Sequence, residues 1–245
     1  LPNVMIKVPA TREGIAAVEV LIGDGINVNV TLLFSVQRYE AAAEAYMSGL
    51  EARLRRGQAV QQTSSVTSLF VSRVDTAVDA LLGAAMAGAG AAARARLQAL
   101  QGRAATANAQ LAYHAYQRLF ASPRFQALRA AGAQTQRLLW ASTDTKNPAY
   151  SDVMYVDGLI APDTVNTVPP STLEAYRGHG RPALTLQQDP APAQAVMREL
   201  HEAAGIDFAA VAERLEQEGV KLFAASFDAL LRTVARRSHE VAAPA

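Results

Sequence analysis

Apolar and polar positions run along this chain in two rhythms, and the switches between them mark its elements. Residues 4–8 (Val-Met-Ile-Lys-Val) form a short apolar run with one lysine, read as a buried first strand that carries the lysine and ends at Pro9. Thr11 then caps a helix over 12–23, where Ile15, Val18, Leu21 and Ile22 share one face and Gly23-Asp24-Gly25 stops the run. Residues 26–34 are a run of alternating polar and apolar residues, with Asn27, Asn29 and Thr31 on one side and Val28, Val30 and Leu32 on the other. This predicts a strand with one polar face. Ser35 opens a second helix that runs to a basic end at Arg53, Arg55 and Arg56, where cations complement a helix C-terminus.

A third strand is predicted over 66–72. Strand, helix, strand, helix, strand at this spacing is the signature of a parallel α/β sheet. The alanine-rich stretch 76–132 breaks the rhythm with helical segments at 77–95 and 103–120, read as a third crossover helix plus an inserted helical excursion. Residues 136–142 return to strand, a short helix follows at 154–159, and 164–168 is a last strand closed by Pro169-Pro170. The remainder is helical, at 171–177, 192–204, 208–217 and 220–237, with a frayed tail at 241–245. The whole chain, 1–245, is read as a single domain, with C-terminal helices over about 171–240.

Composition narrows the function classes. Half of the 245 residues are hydrophobic, enough for a sizeable core. Basic and acidic residues nearly cancel, 23 against 22, so no overall field favours nucleic acid or an anionic membrane. The absence of cysteine removes disulfides and thiolate metal sites, and fits a cytoplasmic protein. The first residues carry no signal-peptide pattern, and the most apolar run, 80–93, is too short for a membrane span of about 20 residues.

Several apparent motifs lose their meaning in context. Gly88-Ala89-Gly90 and the alanines after it match a dinucleotide fingerprint, but no strand precedes them. His201-Glu202 begins like a zinc-protease helix, yet position 205 is Gly205. The histidines have no metal-ligand spacing, so no metal site is expected from them. No nucleophile elbow and no phosphate-binding Walker loop occur.

Chemistry remains at the strand ends. A lysine in an apolar strand either pairs or snorkels to water, or is kept desolvated, which favours the neutral amine that attacks carbonyls. Lysine is scarce, with Lys7, Lys146 and Lys221 the lysines of the whole chain. In parallel barrels the C-terminal strand ends gather the active site. There this sequence offers Lys7, Asn29 with Thr31, Ser68 with Arg73, Ser142 with Lys146, and Asn166. An amine nucleophile, hydrogen-bonding amides and hydroxyls, and two cations suit a phosphorylated sugar.

The residues at these ends also carry a family resemblance. Met5-Ile6-Lys7-Val8-Pro9-Ala10-Thr11, then the stretch from Gly25 to Ser35, then Trp140 to Pro148 and Asp163 to Pro170, resemble transaldolase of the longer bacterial kind, a class I aldolase-type (β/α)8 TIM-barrel enzyme. The resemblance implies that Lys7 is the Schiff-base lysine, that Asn29 contacts the sugar and that Thr31 helps place the catalytic water. It implies phosphate binding by Ser68 and Arg73, and by Lys146 where shorter relatives carry an arginine. Ser142 and Asn166 would contact substrate or support those that do. The implied reaction transfers a dihydroxyacetone unit from fructose 6-phosphate or sedoheptulose 7-phosphate to an aldose phosphate, in the pentose phosphate pathway, without cofactor.

In the family barrel the lysine stands on the fourth of eight strands. The three earlier strands supply an aspartate, an asparagine and a proton-handling glutamate that have no counterpart here. The expectation is therefore a partial barrel of about five parallel strands, a fragment with little activity alone. The alternatives are a non-catalytic half-barrel that assembles through its sheet edges, as a homo-oligomer or with another chain, or another Schiff-base sugar-phosphate aldolase.

Overall fold

The computed structural model describes residues 3–186 and 189–242. Strand β1 (Ile6–Pro9), helix α1 (Arg12–Gly23), β2 (Val28–Leu33), α2 (Val36–Arg55) and β3 (Ser65–Phe70) alternate as the patterning predicts. Four helices follow: α3 (Ser72–Met86), α4 (Ala91–Gln98), α5 (Ala104–Phe120) and α6 (Pro123–Ala130). Then come β4 (Arg137–Ala141), α7 (Met154–Asp157) and β5 (Thr164–Asn166), and finally α8 (Pro170–His179), α9 (Ala191–Ala204) and α10 (Phe208–Ala242). The predicted frayed tail lies outside the described residues from 243 on, and α10 is described to Ala242.

Among the described residues the five strands form one sheet in the order β1-β2-β3-β4-β5, every neighbouring pair parallel. Each strand lies beside the one before it, and β1 and β5 are the two edges, an open α/β sheet of the partial-barrel kind. The register sorts the strand residues onto two faces. Lys7 lies opposite Asn29, Asn29 opposite Val66, and Ser68 opposite Leu139, so these residues share one face. Val8, Val30, Thr67 and Leu138 share the other and are all buried.

Local chemistry explains the sharpest boundaries. The Thr11 hydroxyl accepts from the Gly14 amide at 3.1 Å and starts α1, and the Ser35 hydroxyl accepts from the Arg38 amide at 3.3 Å and starts α2. Gly14 also lets α1 approach β1, because a side chain there would fall 1.8 Å from the Pro9 carbonyl oxygen.

The alanine-rich stretch is part of the core. Helix α5 buries Ala104, Ala105, Ala107, Ala109, Ala112 and Ala115 and packs against α2, α9 and β4. Small side chains permit that close approach on several sides. The excursion predicted for 76–132 is thus a folded layer.

Helix α10 differs from its prediction as two segments. It is one helix of 35 residues that runs through Gly219 without a break. Val211, Ala212, Leu215, Glu216 and Gly219 form its buried stripe. A Cβ at position 219 would lie 2.8 Å from Leu32 Cδ2, so this glycine is a contact surface. Leu32 itself has φ 60°, a left-handed conformation rare for a branched side chain, at the irregularity where the β2–β3 register shifts between Val30 and Leu33. Beyond Val220 the helix exposes Leu222, Phe223, Phe227, Leu230, Leu231 and Val234.

Candidate active site

Four of the residues singled out by sequence come together on one sheet face. Lys7 and Asn29 are register partners on β1 and β2. The Ser68 hydroxyl on β3 donates to Asn29 Oδ1 at 2.7 Å, which fixes the amide so that its NH₂ remains available as a donor. Thr31, two residues beyond Asn29, is buried at 1% exposure, and its Oγ1 has no hydrogen-bond partner among the described residues.

Lys7 itself is exposed, as are Met5 and Ile6 beside it. That corrects the expectation of a buried lysine strand. Among the described residues β1 is an edge of the sheet, paired with β2 on one side and with no strand on the other. The described residues do give the ammonium one aromatic neighbour, the Phe223 ring of α10, whose centroid is 5.9 Å away.

The phosphate-binding candidates occupy the next tier, at the C-terminal end of β3 and β4. Arg73 is half-buried in the first turn of α3, its guanidinium over the Phe70 ring at 5.2 Å. Ser72 ties this turn to β4: its amide donates to the Ser142 carbonyl at 2.9 Å, and the two hydroxyls lie 3.1 Å apart. Ser142 has φ 56°, a left-handed residue where the chain leaves β4. Lys146 follows in the β4–α7 loop, solvent-facing and ion-paired with Asp144.

Asn166 falls elsewhere. It is the register partner of Trp140, one residue out of phase with Leu139 and Ser68, which puts it on the opposite face from Lys7 and Asn29. Its Oδ1 accepts from the Thr143 hydroxyl at 2.7 Å. It braces the loop after β4 and does not join the polar face.

Sequence reasoning missed Phe70, Phe223 and an aspartate pair on α3. Phe70 lies inside the Ser68-to-Arg73 stretch and its stacking role was there to find. Phe223 carries a helical apolar repeat, Val220, Phe223, Phe227, Leu230, Val234, that could have flagged a second partner for the sheet. Asp75 and Asp79, four residues apart on α3, are engaged by tyrosines from α7 and the loop before it: Tyr155 donates to Asp75 and Tyr150 to Asp79, both at 2.7 Å. Burial pushes the Asp75 carboxyl up to about 6, against the opposing hydrogen bonds from the Ala105 amide and Tyr155 and with help from Asp79. Among the described residues no group of acidic or histidine side chains could hold a metal, and no helix is long and apolar enough to cross a membrane.

A parallel sheet with lysine, amide and hydroxyl groups on one face and cations just beyond the strand ends defines a protein of the partial α/β-barrel kind. The comparisons narrow this. The family described as Transaldolase/Fructose-6-phosphate aldolase matches residues 1–234, and the chain belongs to that family. It is 48% identical over 234 residues to the transaldolase of Parafrankia sp. (strain EAN1pec), covering 95% of this chain and 61% of that protein. Transaldolase 2 of Nostoc sp. (strain PCC 7120) is 46% identical over 235 residues, covering 95% of this chain and 62% of its own length. The transaldolase of Thiobacillus denitrificans is 48% identical over 233 residues, covering 95% of this chain and 63% of its own. The chain therefore spans a little over three fifths of the relatives it matches.

Proposed function

We propose that this chain is the lysine-bearing part of a transaldolase, and that Lys7 forms the Schiff base. The observation that carries the reading is the in-register pair Lys7 and Asn29, with Asn29 held by Ser68, in a member of this family. The neutral Lys7 amine adds to the C2 carbonyl of fructose 6-phosphate or sedoheptulose 7-phosphate, and water leaves as the imine forms. The protonated imine accepts the electron pair when the C3–C4 bond breaks, releasing an aldose phosphate. The remaining three-carbon carbanion adds to a second aldose phosphate, and hydrolysis returns the free lysine.

Asn29 orients the sugar hydroxyls, the unpartnered hydroxyl of Thr31 places a water, and Ser68, Arg73 and Lys146 take the phosphate end. Ser142, bonded to Ser72, holds the Arg73 turn. No cofactor enters these steps, and the setting implied is the cytoplasmic pentose phosphate pathway. No residue of this chain takes the proton-handling part of the family glutamate, so residues 1–245 alone should trap donor but turn over poorly, by about 10²–10⁴-fold.

The test is borohydride reduction in the presence of fructose 6-phosphate, read by peptide mass. We expect an adduct on Lys7 and none in Lys7→Ala. An adduct on Lys146 or Lys221 instead, or none at all, overturns the assignment.

A second reading is favoured by the apolar surface at Met5, Ile6, Phe227 and Leu230: a half-barrel that assembles through β1 and α10, as a homo-oligomer or with another chain. It predicts a mass of at least twice 26.0 kDa in solution. A monomer at micromolar concentration by light scattering removes self-assembly.

A further inference from the structure

Asp75 is buried at 1% exposure and Asp79 lies one turn further along α3, and together they hold four groups. Asp75 accepts from the Ala105 amide of α5 at 2.8 Å and from Tyr155 of α7 at 2.7 Å. Asp79 accepts from the Gly102 amide at 3.0 Å and from Tyr150 at 2.7 Å. Two buried or half-buried carboxylates are a poor choice for stability alone, because apolar residues of the same volume would fill this space with less desolvation penalty. What they accomplish is geometric. The β4–α7 loop leaves the sheet at Ser142, bonded to Ser72 in the first turn of α3, and returns at Tyr150 and Tyr155, bonded to the second and first turns of the same helix. The loop is also braced internally, the Thr145 hydroxyl donating to the Ser151 carbonyl at 2.9 Å and the Tyr150 amide to the Asn147 carbonyl at 3.1 Å. Lys146 sits between these anchors and shares a cavity of 170 Å³ with Asp75, Asp79 and Tyr150. Arg73 is on the anchoring helix itself.

We infer that the Asp75–Tyr155 and Asp79–Tyr150 pairs form a two-point clasp that sets the position of Lys146 relative to Arg73, and so act as positioning residues for the phosphate end of the substrate. This rests on the proposed function, in which those two cations take the phosphate. The clasp lies away from Lys7, so loosening it affects capture of a phosphorylated donor and leaves imine formation itself intact.

The experiment compares trapping at Lys7 by borohydride with fructose 6-phosphate and with dihydroxyacetone, a ketone with no phosphate, on the full chain. Tyr150→Phe and Tyr155→Phe each delete one hydroxyl with little change of volume. We expect the half-saturating concentration of fructose 6-phosphate to rise roughly tenfold in either variant, with dihydroxyacetone trapping unchanged. Lys146→Met should produce a similar rise, and adding Tyr150→Phe to it should produce no more. Unchanged half-saturation in both tyrosine variants, equal losses with both donors, or additivity with Lys146→Met each overturns the clasp while leaving the Schiff-base reading in place. Failure of the unaltered chain to trap either donor overturns the proposed function and this inference with it. Tyr150 is in a partly exposed loop, so Tyr150→Phe remains informative where Tyr155→Phe disturbs folding.

Discussion

Strands β1 and β3 lie two apart in one parallel sheet, and their surroundings differ as an outside wall differs from an inside one. All six residues of β3 are buried, between β2 and β4 with helices against one face. In β1, Ile6 and Lys7 are exposed, Pro9 is half-buried and Val8 alone is buried. Both strands present chemistry on the same face, Lys7 from one and Ser68 from the other. The Ser68 side of the candidate site is therefore enclosed, whereas the Lys7 side stands open, with the Phe223 ring its aromatic neighbour among the described residues. What separates the two strands is the presence of a neighbour on both sides, since both are short parallel strands followed by a helix.

Three measurements break or sharpen this contrast. The largest effect is expected at the enclosed strand: Leu69→Ala should lower unfolding stability by about 2–5 kcal/mol in urea titrations, since Leu69 is fully buried. The next concerns Asp75. Its folded carboxyl, near 6, lies above the ordinary 3.8 of an unfolded aspartate. Between those values the folded chain holds a proton that the unfolded chain has released, so stability falls as pH rises from about 4 to 6 and then levels. The full drop is on the order of 3 kcal/mol, and Asp75→Asn should flatten it. Stability that rises through this window would contradict the burial assigned to Asp75. The smallest effect is expected at the edge: Ile6→Ala should change stability by less than about 0.5 kcal/mol in the monomer. A loss at Ile6 as large as that at Leu69 would mean the edge is covered in solution, and the contrast would fail.

How far the sequence revealed these features follows the range of the forces involved. Helix α1 was placed residue for residue, because the Thr11 cap and the glycines after Ile22 act within a few positions. The strands were placed within two residues at their starts, because alternation is local too. The break expected between 217 and 220 was wrong because Gly219 answers to Leu32, nearly two hundred positions earlier, and nothing in its own neighbourhood says so. The burial of Lys7 was misjudged for a related reason: an apolar run describes a strand's preference, whereas exposure depends on whether another strand lies beside it. At the candidate site, the alternation in β2 put Asn29 and Thr31 on one side, but only the register shows that Ser68 reaches Asn29 and that Asn166 is out of phase. The pairing of Asp75 and Asp79 with two tyrosines some 70 to 80 positions later left no trace in spacing or composition.

The contact between Gly219 and Leu32 also bears on the order in which the molecule is completed. Leu32 adopts its left-handed conformation in β2, while the glycine that fits against it belongs to α10, far later in the chain. The turn beside Thr31 is thus held from one side by its sheet neighbours and from the other by a helix that is made much later than β2. Contacts this distant along a chain form slowly, because a long loop must close before they are rewarded. A nascent chain can assemble β1 to β4 with this face of β2 uncovered. The left-handed turn at Leu32, next to Thr31, acquires its final support when α10 docks.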